Sequence, residues 1–167
     1  PPYQLEDGGF GKSASPIYHK FVEQAMRLNP TYLSMIIPAR WYSGGKGLDD
    51  FRKKMLNDEK ISEIHDFPQT SDCFPGLNIR GGICYFLWDK NHKGNPNIVN
   101  YKDNKVISSK RRNLKIEDQD IFVRYNQAIN ILEKIVKFKE EKFYNFVSSR
   151  KPFGLPTNYT GFNKNKN

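Results

Sequence analysis

The first residues of the chain, Pro1-Pro2-Tyr3-Gln4, combine two residue types that suit one kind of chemistry. Consecutive prolines fix the backbone and remove N–H donors, so the carbonyl of Pro1 is a candidate acceptor for an N–H group. Tyr3 offers a flat aromatic face on which a planar heterocycle can stack. A rigid carbonyl beside a flat ring can hold a planar amine in a defined position. Because a Pro-Pro-Tyr tripeptide is common by chance, it is evidence for a functional loop only if the elements that follow it fit such a loop.

The residues that follow predict elements to position this tripeptide. Residues 4–14 are Gly-rich and polar, which predicts a loop, and Ser15-Pro16 predicts an N-cap followed by the first residue of a helix. That helix has apolar residues at helical spacing, namely Ile17, Phe21, Ala25 and Leu28, widened by Val22 and Met26. A second helix is predicted over residues 48–57, with Leu48, Phe51, Met55 and Leu56 facing inward.

Apolar runs at residues 31–37, 61–67 and 79–88 predict three strands. The order helix, strand, helix, strand, loop, strand predicts an α/β fold with a doubly wound sheet. The link between the last two strands is too short for a crossover helix, so it predicts a hairpin with an antiparallel strand at that edge.

The composition changes to Asn, Lys, Gly and Pro from residue 91, which predicts a domain boundary between residues 1–90 and 91–167. The second part is predicted to be a small basic α+β segment. It should hold a β-hairpin over residues 98–108 that turns at 102–105, and a helix over 118–138. The tail from residue 153 is rich in Gly, Pro and Asn and predicts a loop.

The net charge of +9 is confined to this second part. Residues 1–90 contain 11 basic and 11 acidic residues, whereas residues 91–167 contain 16 basic and 7 acidic residues. A neutral first part joined to a basic second part favours a catalytic unit next to a segment that binds a polyanion. A proteome rich in Lys and Asn would give the same bias.

Several blocks of the chain together resemble the adenine-N6 DNA methyltransferases of the Eco57I-type restriction–modification branch. The resemblance covers most of the chain, and its later blocks are more specific than Pro-Pro-Tyr. The matching residues are Pro1-Pro2-Tyr3-Gln4; Ile36-Ile37-Pro38-Ala39-Arg40-Trp41 with Gly44-Gly45; Cys73-Phe74-Pro75-Gly76; Gly81-Gly82-Ile83-Cys84-Tyr85-Phe86-Leu87-Trp88; and Arg150-Lys151-Pro152-Phe153-Gly154-Leu155-Pro156-Thr157-Asn158.

The resemblance implies that Pro1, Pro2 and Tyr3 are catalytic residues. In the family the loop reads Asn/Asp-Pro-Pro-Tyr/Phe, so the chain starts inside this motif, one residue after its Asn or Asp. The lone pair on adenine N6 is delocalised into the ring, and acceptors placed against each N–H draw the nitrogen toward a tetrahedral state. Tyr3 would stack on the adenine after it has swung out of the duplex. Positioning then supplies most of the catalysis.

The family also implies a role for Phe74 and Pro75, which would contact the flipped adenine on the side opposite Tyr3. The segment Phe67-Pro68-Gln69 is a competing candidate, placed behind Phe74. Each phenylalanine has an alternative interpretation as an ordinary core residue.

The best candidates for DNA phosphate contacts are Lys110, Arg111 and Arg112, with Lys102, Lys105 and Lys115 nearby. In the family this region begins the target-recognition part. A charged hairpin end in solvent is the competing interpretation. Arg40, at the end of a predicted strand, is a further candidate, although an ordinary ion pair explains it equally well.

The resemblance implies S-adenosylmethionine as the methyl donor of the intact protein. The Gly-rich loop and the acidic residue that hold this cofactor in the family are absent from the sequence, so cofactor-binding residues remain unknown and the pocket is expected upstream. The predicted fold is therefore the C-terminal half of a Rossmann-like methyltransferase sheet, and this piece alone is expected to be inactive.

Other features of the sequence narrow the remaining possibilities. His19, His65 and His92 lack metal-ligand spacing, so no metal is expected. Cys73 and Cys84 are too few for a disulfide framework, which favours a cytoplasmic protein. No apolar run is long enough for a membrane span. The oligomeric state stays open.

The sequence thus predicts part of an enzyme that methylates adenine N6 in double-stranded DNA. One alternative is an amino-methyltransferase acting on glutamine of release factors or on RNA, since such enzymes share the loop. Another is a non-catalytic DNA-binding or specificity fragment. Whether the parent also cleaves DNA, and at which recognition sequence it acts, is not predicted.

Overall fold

The fold is taken from a computed structural model that describes residues 1–5, 15–117, 119–138, 140–141, 143–147 and 154. The predicted Gly-rich loop and most of the block at residues 150–158 lie outside this range. The elements in chain order are α1 (Tyr18–Arg27), β1 (Tyr32–Pro38), α2 (Asp49–Leu56), β2 (Ile61–Phe67), β3 (Ile83–Asp89), β4 (Asn97–Lys102), β5 (Lys105–Arg111) and α3 (Asn126–Val136). Short 3-10 helices lie at Ala39–Tyr42, Thr70–Asp72 and Phe143–Phe146.

The five strands form one mixed sheet in the order β1-β3-β2-β4-β5. β3 is antiparallel to both β1 and β2, as the short link before it predicts. It does not lie at an edge, however, because it enters between β1 and β2. β4 pairs parallel with β2, and β5 pairs antiparallel with β4. The second part of the chain therefore extends the same sheet, and the division of roles at residue 90 remains a prediction.

The core forms where α1 and α2 pack on the sheet. On α2 the inward residues predicted from helical spacing are all buried: Leu48, Phe51, Met55 and Leu56. They join Ile64, Phe86 and Trp88 from the strands in one apolar cluster. Each buried side chain of this size contributes about 1.5–3 kcal/mol relative to an exposed one.

α1 begins later than predicted and buries a different face. The helix starts at Tyr18, Ile17 occupies its N-cap position, and no side chain caps it. Pro16 lies outside because it forms an antiparallel bridge with Gln4. Tyr18 and Val22 are buried, whereas Phe21 is 42% exposed and Leu28 is 83% exposed. The predicted cap at Ser15 is therefore wrong, because the helix starts later. The predicted face is wrong for Phe21 and Leu28, whereas Val22 is buried and Met26 packs against the core as predicted.

The hairpin between β4 and β5 turns where the sequence predicts. Asp103 and Asn104 have φ values of 51° and 58°, which a two-residue turn with positive φ at both positions requires. Asp and Asn tolerate this left-handed conformation better than most side chains do. The turn places Lys102 and Lys105 side by side at the end of the hairpin.

α3 is shorter than the helix predicted over residues 118–138. The residues before Asn126 are held extended because their backbone groups bond to other parts of the fold. The Phe122 N–H donates to the carbonyl of Tyr42 at 2.8 Å, and the carbonyl of Val123 accepts a bond from Arg112 at 2.6 Å. Tertiary contacts thus override a helical pattern that the sequence carries.

The sheet and its helices confirm the predicted α/β class. Within the described ranges, every helix is too short or too polar to traverse a bilayer.

Candidate functional site

The Pro-Pro-Tyr segment is pinned against the start of α1. The Ile17 N–H donates to the carbonyl of Tyr3 at 3.1 Å, and the Leu5 N–H donates to the carbonyl of Ser15 at 3.0 Å. Pro1 and Pro2 are exposed, whereas Tyr3 is half-buried and packs against the core. The ring of Tyr3 is therefore held in place by both backbone bonds and apolar contacts.

Tyr3 lines a cavity of about 330 Å³, which we call the Tyr3 cavity. This volume lies near the lower end of the range for small-molecule pockets. Its walls come from the N-terminal segment, the start of α1, the end of β1 and the loop before β3. The lining residues are Tyr3, Gln4, Pro16, Tyr18, Pro38, Arg40, Lys46, Asn78, Ile79 and Arg80.

The two tyrosines of this cavity are neutral at physiological pH. Burial raises the pKa of Tyr3, and the nearby thiols of Cys73 and Cys84 raise it further. Burial likewise raises the pKa of Tyr18. A neutral aromatic wall suits stacking against an uncharged planar ring.

Phe74 and Pro75 lie in the loop before β3 but do not line the Tyr3 cavity. Phe74 is half-buried and Pro75 is exposed. A turn holds this stretch, since the Phe74 N–H donates to the carbonyl of Thr70 at 2.8 Å. From the same loop, Asn78, Ile79 and Arg80 reach the cavity instead. The stacking role of Phe74 and Pro75 stays a prediction.

The competing candidate Phe67 belongs to the core. It is 7% exposed, and its ring stacks on Tyr101 with 4.3 Å between ring centroids and 13° between planes. A phenylalanine held in this way has no free face for a ligand, which favours Phe74 over Phe67.

The candidate phosphate ligands of the second part fall into two groups. Exposed cationic side chains are Lys102, Lys105, Lys110, Arg111 and Lys115. Lys110, Arg111 and Lys115 border a cavity of about 790 Å³ between β5 and α3. The ammonium of Lys110 lies at the surface, where it donates a hydrogen bond to Asn130 Oδ1 at 3.3 Å.

Arg112 differs from these residues because it is 6% exposed. Its guanidinium donates to Asn126 Oδ1 at 2.8 Å and to the carbonyl of Val123 at 2.6 Å, and it lies 5.0 Å from the ring centroid of Phe122. Burial lowers the pKa of Arg112 to about 10, so it remains charged at neutral pH. Because its donors are used inside the protein, Arg112 has a structural role and we leave it out of the proposed DNA surface.

The ion pair between Asp66 and Arg124 was missed by the sequence reasoning. Asp66 on β2 is fully buried, and Arg124 Nε lies 3.1 Å from Asp66 Oδ1 and 3.0 Å from Oδ2. Burial raises the pKa of Asp66 to about 6, although Arg124 opposes the shift. The sequence did contain a signal for this ion pair. Asp66 lies two residues after Ile64 in an apolar strand, so both side chains lie on the same face of the sheet.

Among the described residues, no three His, Cys, Asp or Glu side chains come together in a way that could hold a metal ion. Cys73 and Cys84 are free thiols, and burial raises the pKa of Cys84 to about 12.

Residues 1–74 match the model of the Eco57I restriction-modification methylase family. This part of the chain is therefore similar to that family over 74 residues. The match to the Eco57I family contains Tyr3 and the cavity residues up to Lys46, together with β1, α2, β2 and Phe74.

The chain is also 35% identical over 165 residues to an "Uncharacterized adenine-specific methylase" from Mycoplasma pneumoniae. The alignment covers 92% of this chain, which spans 39% of the length of that relative. A solved structure of a type I restriction-modification system methyltransferase subunit from Streptococcus thermophilus is 12% identical, with a TM-score of 0.35. It covers 66% of this chain and 21% of that subunit, a likeness too weak to support an argument.

Proposed function

We propose that this chain is the C-terminal part of the catalytic domain of an enzyme that methylates N6 of adenine in double-stranded DNA, as part of a restriction–modification system. The observation that carries the proposal is the Tyr3 cavity, which is lined by the tyrosine of the Pro-Pro-Tyr segment within a stretch that matches the Eco57I family. The adenine-specific relative supports adenine as the substrate base. Such an enzyme acts in the cytoplasm, where bacterial DNA lies.

The catalytic task of Pro1, Pro2 and Tyr3 is to position a weakly nucleophilic amine. The adenine stacks on the neutral ring of Tyr3, and the carbonyl of Pro1 accepts one N–H bond from N6. With that N–H engaged, the nitrogen lone pair becomes available to an electrophilic methyl group. Phe74 and Pro75 approach the opposite face of the base when their loop closes. Orientation of this kind is a major source of rate acceleration.

The residues present do not by themselves form a site for S-adenosylmethionine, the methyl donor that the family implies. No carboxylate that could bind ribose hydroxyl groups lines the Tyr3 cavity in the described part of the chain. We therefore assign the donor to the full-length protein and derive no step through it.

DNA contacts in the second part come from the exposed cations of the β4–β5 hairpin and the loop after it. Lys102, Lys105, Lys110, Arg111 and Lys115 would contact phosphates and set the position of the protein on the duplex. Arg40, beside the Tyr3 cavity, contacts DNA near the extruded base. Assigning residues 91–167 to target recognition belongs to the same proposal.

The test is methyl transfer from labelled S-adenosylmethionine to bacterial DNA by the full-length protein. Tyr3→Ala and Phe74→Ala should each reduce label in adenine by about fivefold to 150-fold, because each removes a stacking surface worth about 1–3 kcal/mol. Tyr32→Ala, which removes an exposed tyrosine on β1, is the matched control and should retain activity. The 167-residue chain alone should transfer no methyl group.

Two outcomes would overturn the proposal. A folded protein that binds the donor but leaves DNA unlabelled is not a DNA methyltransferase, and label in protein or RNA would favour the amide or RNA alternatives. A folded protein that binds DNA without binding the donor would be a specificity fragment.

A further inference from the structure

Two neighbouring cavities share a wall formed by Arg40 and Arg80. The first is the Tyr3 cavity, and the second has a volume of about 460 Å³. The other residues of the second cavity come from the stretch after β1, the glycine pair before β3 and the segment before α3. They are Ala39, Tyr42, Ser43, Gly44, Gly81, Phe122 and Arg124. We call the depression formed by both cavities the arginine trough.

The trough carries two cationic side chains that form no ion pair within the described part of the chain. Arg40 and Arg80 are exposed, and neither side chain makes a hydrogen bond or an ion pair among the described residues. Arg124 differs, because it is bonded to Asp66 and to the carbonyl of Gly81. No described carboxylate lines either cavity. Two exposed guanidinium groups without an ion-pair partner among the described residues form a site for anions, and their planar shape matches phosphate oxygens.

The shape of the trough suits a nucleic-acid strand better than an isolated anion. An isolated anion is best bound by donors that enclose it, whereas here the two arginines stand between two open cavities. The Tyr3 cavity has the half-buried ring of Tyr3 in its wall, whereas Phe122, which borders the second cavity, is 3% exposed and packs in the core. Exposed cations beside an aromatic surface are typical of proteins that follow a single strand along its backbone.

We propose that Arg40 and Arg80 bind the phosphates flanking the nucleotide whose base enters the Tyr3 cavity, and that the trough carries the same DNA strand on toward Ser43 and Gly44. The identity of the base as adenine rests on the proposed function. The binding of a strand by the two arginines does not require methyl transfer, so the two ideas can fail separately.

The test measures binding of the full-length protein to DNA over a range of salt concentrations. The probes are a single-stranded oligonucleotide and a duplex with one unpaired adenine. Arg80→Gln and Arg40→Gln should each weaken binding roughly fivefold and lower the slope of log affinity against log salt by about 0.7–0.9, the value for one phosphate contact. Arg27→Gln, an exposed arginine at the far end of α1, is the matched control and should change neither quantity.

Competition with inorganic phosphate and with a mononucleotide distinguishes a strand from a free anion. A strand site predicts that neither competitor displaces the oligonucleotide at concentrations near its own dissociation constant. The proposal is overturned if Arg80→Gln and Arg40→Gln behave like Arg27→Gln, or if free phosphate competes as well as the oligonucleotide. Loss of methyl transfer to adenine with intact, arginine-dependent binding would overturn only the proposed function.

Discussion

Asp66 is the residue at which burial and charge are most directly opposed. The carboxylate lies on β2 with Arg124, Asn100, Tyr42 and Cys84 around it. Arg124 is the described cation that pairs with it, and this attraction does not offset the loss of hydration, so the pKa of Asp66 rises to about 6. The ion pair of Asp66 with Arg124 therefore links β2 to the segment before α3, and keeping the buried carboxylate ionised costs free energy.

At the residue scale we predict a pH dependence of stability that depends on Asp66. Its pKa is about 6 in the folded protein and near its ordinary value in the unfolded chain, so the folded state binds the proton more tightly. The free energy of unfolding should therefore fall as pH rises from about 4 to about 7, by up to about 3 kcal/mol. Urea unfolding across this range measures it.

Asp66→Asn is the control, because the amide has nearly the same shape and does not titrate. The variant should lose the Asp66 contribution, so the difference in stability between the two proteins should change with pH. Parallel curves for wild type and variant would contradict the pKa assigned to Asp66.

At the scale of elements, the start of β3 is decided by two glycines. Gly81 and Gly82 have φ values of 93° and 78°, and β3 begins at Ile83 rather than at residue 79. A Cβ atom on Gly82 would lie 2.3 Å from the carbonyl oxygen of Phe67. Another backbone therefore approaches Gly82 closely, whereas the space around Gly81 is open.

Alanine substitutions of these two glycines should therefore have different effects. Gly81→Ala introduces a side chain in the left-handed region with open space around it and should cost about 1–2 kcal/mol. Gly82→Ala adds a backbone clash to the same strain and should cost at least about 3 kcal/mol. Chemical denaturation compares them, and equal losses would show that the clash is relieved elsewhere.

At the scale of the whole molecule, buried polar groups attach the second part of the chain to the sheet. Arg112 follows β5 and donates to Asn126 at the start of α3, while Asn126 donates to the carbonyl of Ile98 on β4 at 2.9 Å. Asn100 on β4 accepts from the Asn126 N–H at 3.2 Å. Satisfied buried networks of this kind fix one arrangement of elements, because breaking any member leaves a polar group unpaired.

Arg112 and Arg111 should therefore respond in opposite ways to replacement by methionine. Arg112→Met removes a buried charge that makes several hydrogen bonds and should lower stability by about 3 kcal/mol, with little change in the salt dependence of DNA binding. Arg111→Met should leave stability nearly unchanged and lower the salt slope by about 0.9. Unfolding and DNA-binding titrations are measured on both variants. A reduced salt slope for folded Arg112→Met would return Arg112 to the DNA surface.

Local patterns in the sequence determined much of the element order. The spacing of apolar residues predicted β2 and the inward face of α2, and the residue types of the hairpin predicted the turn at Asp103 and Asn104. These features depend on residues that are neighbours along the chain. The resemblance to the Eco57I family could be found for the same reason, since the matching motifs are contiguous.

The tertiary structure alone decided features that depend on residues far apart in sequence. It placed β3 inside the sheet, started α1 at Tyr18 and shortened α3. The tertiary structure also buries Arg112 and places Arg80 and Arg40 in the walls of the same two cavities. The sequence alone does not distinguish a buried arginine from an exposed one. Composition shows that a cation is present, but only packing decides whether its donors bond to the protein or face an incoming phosphate.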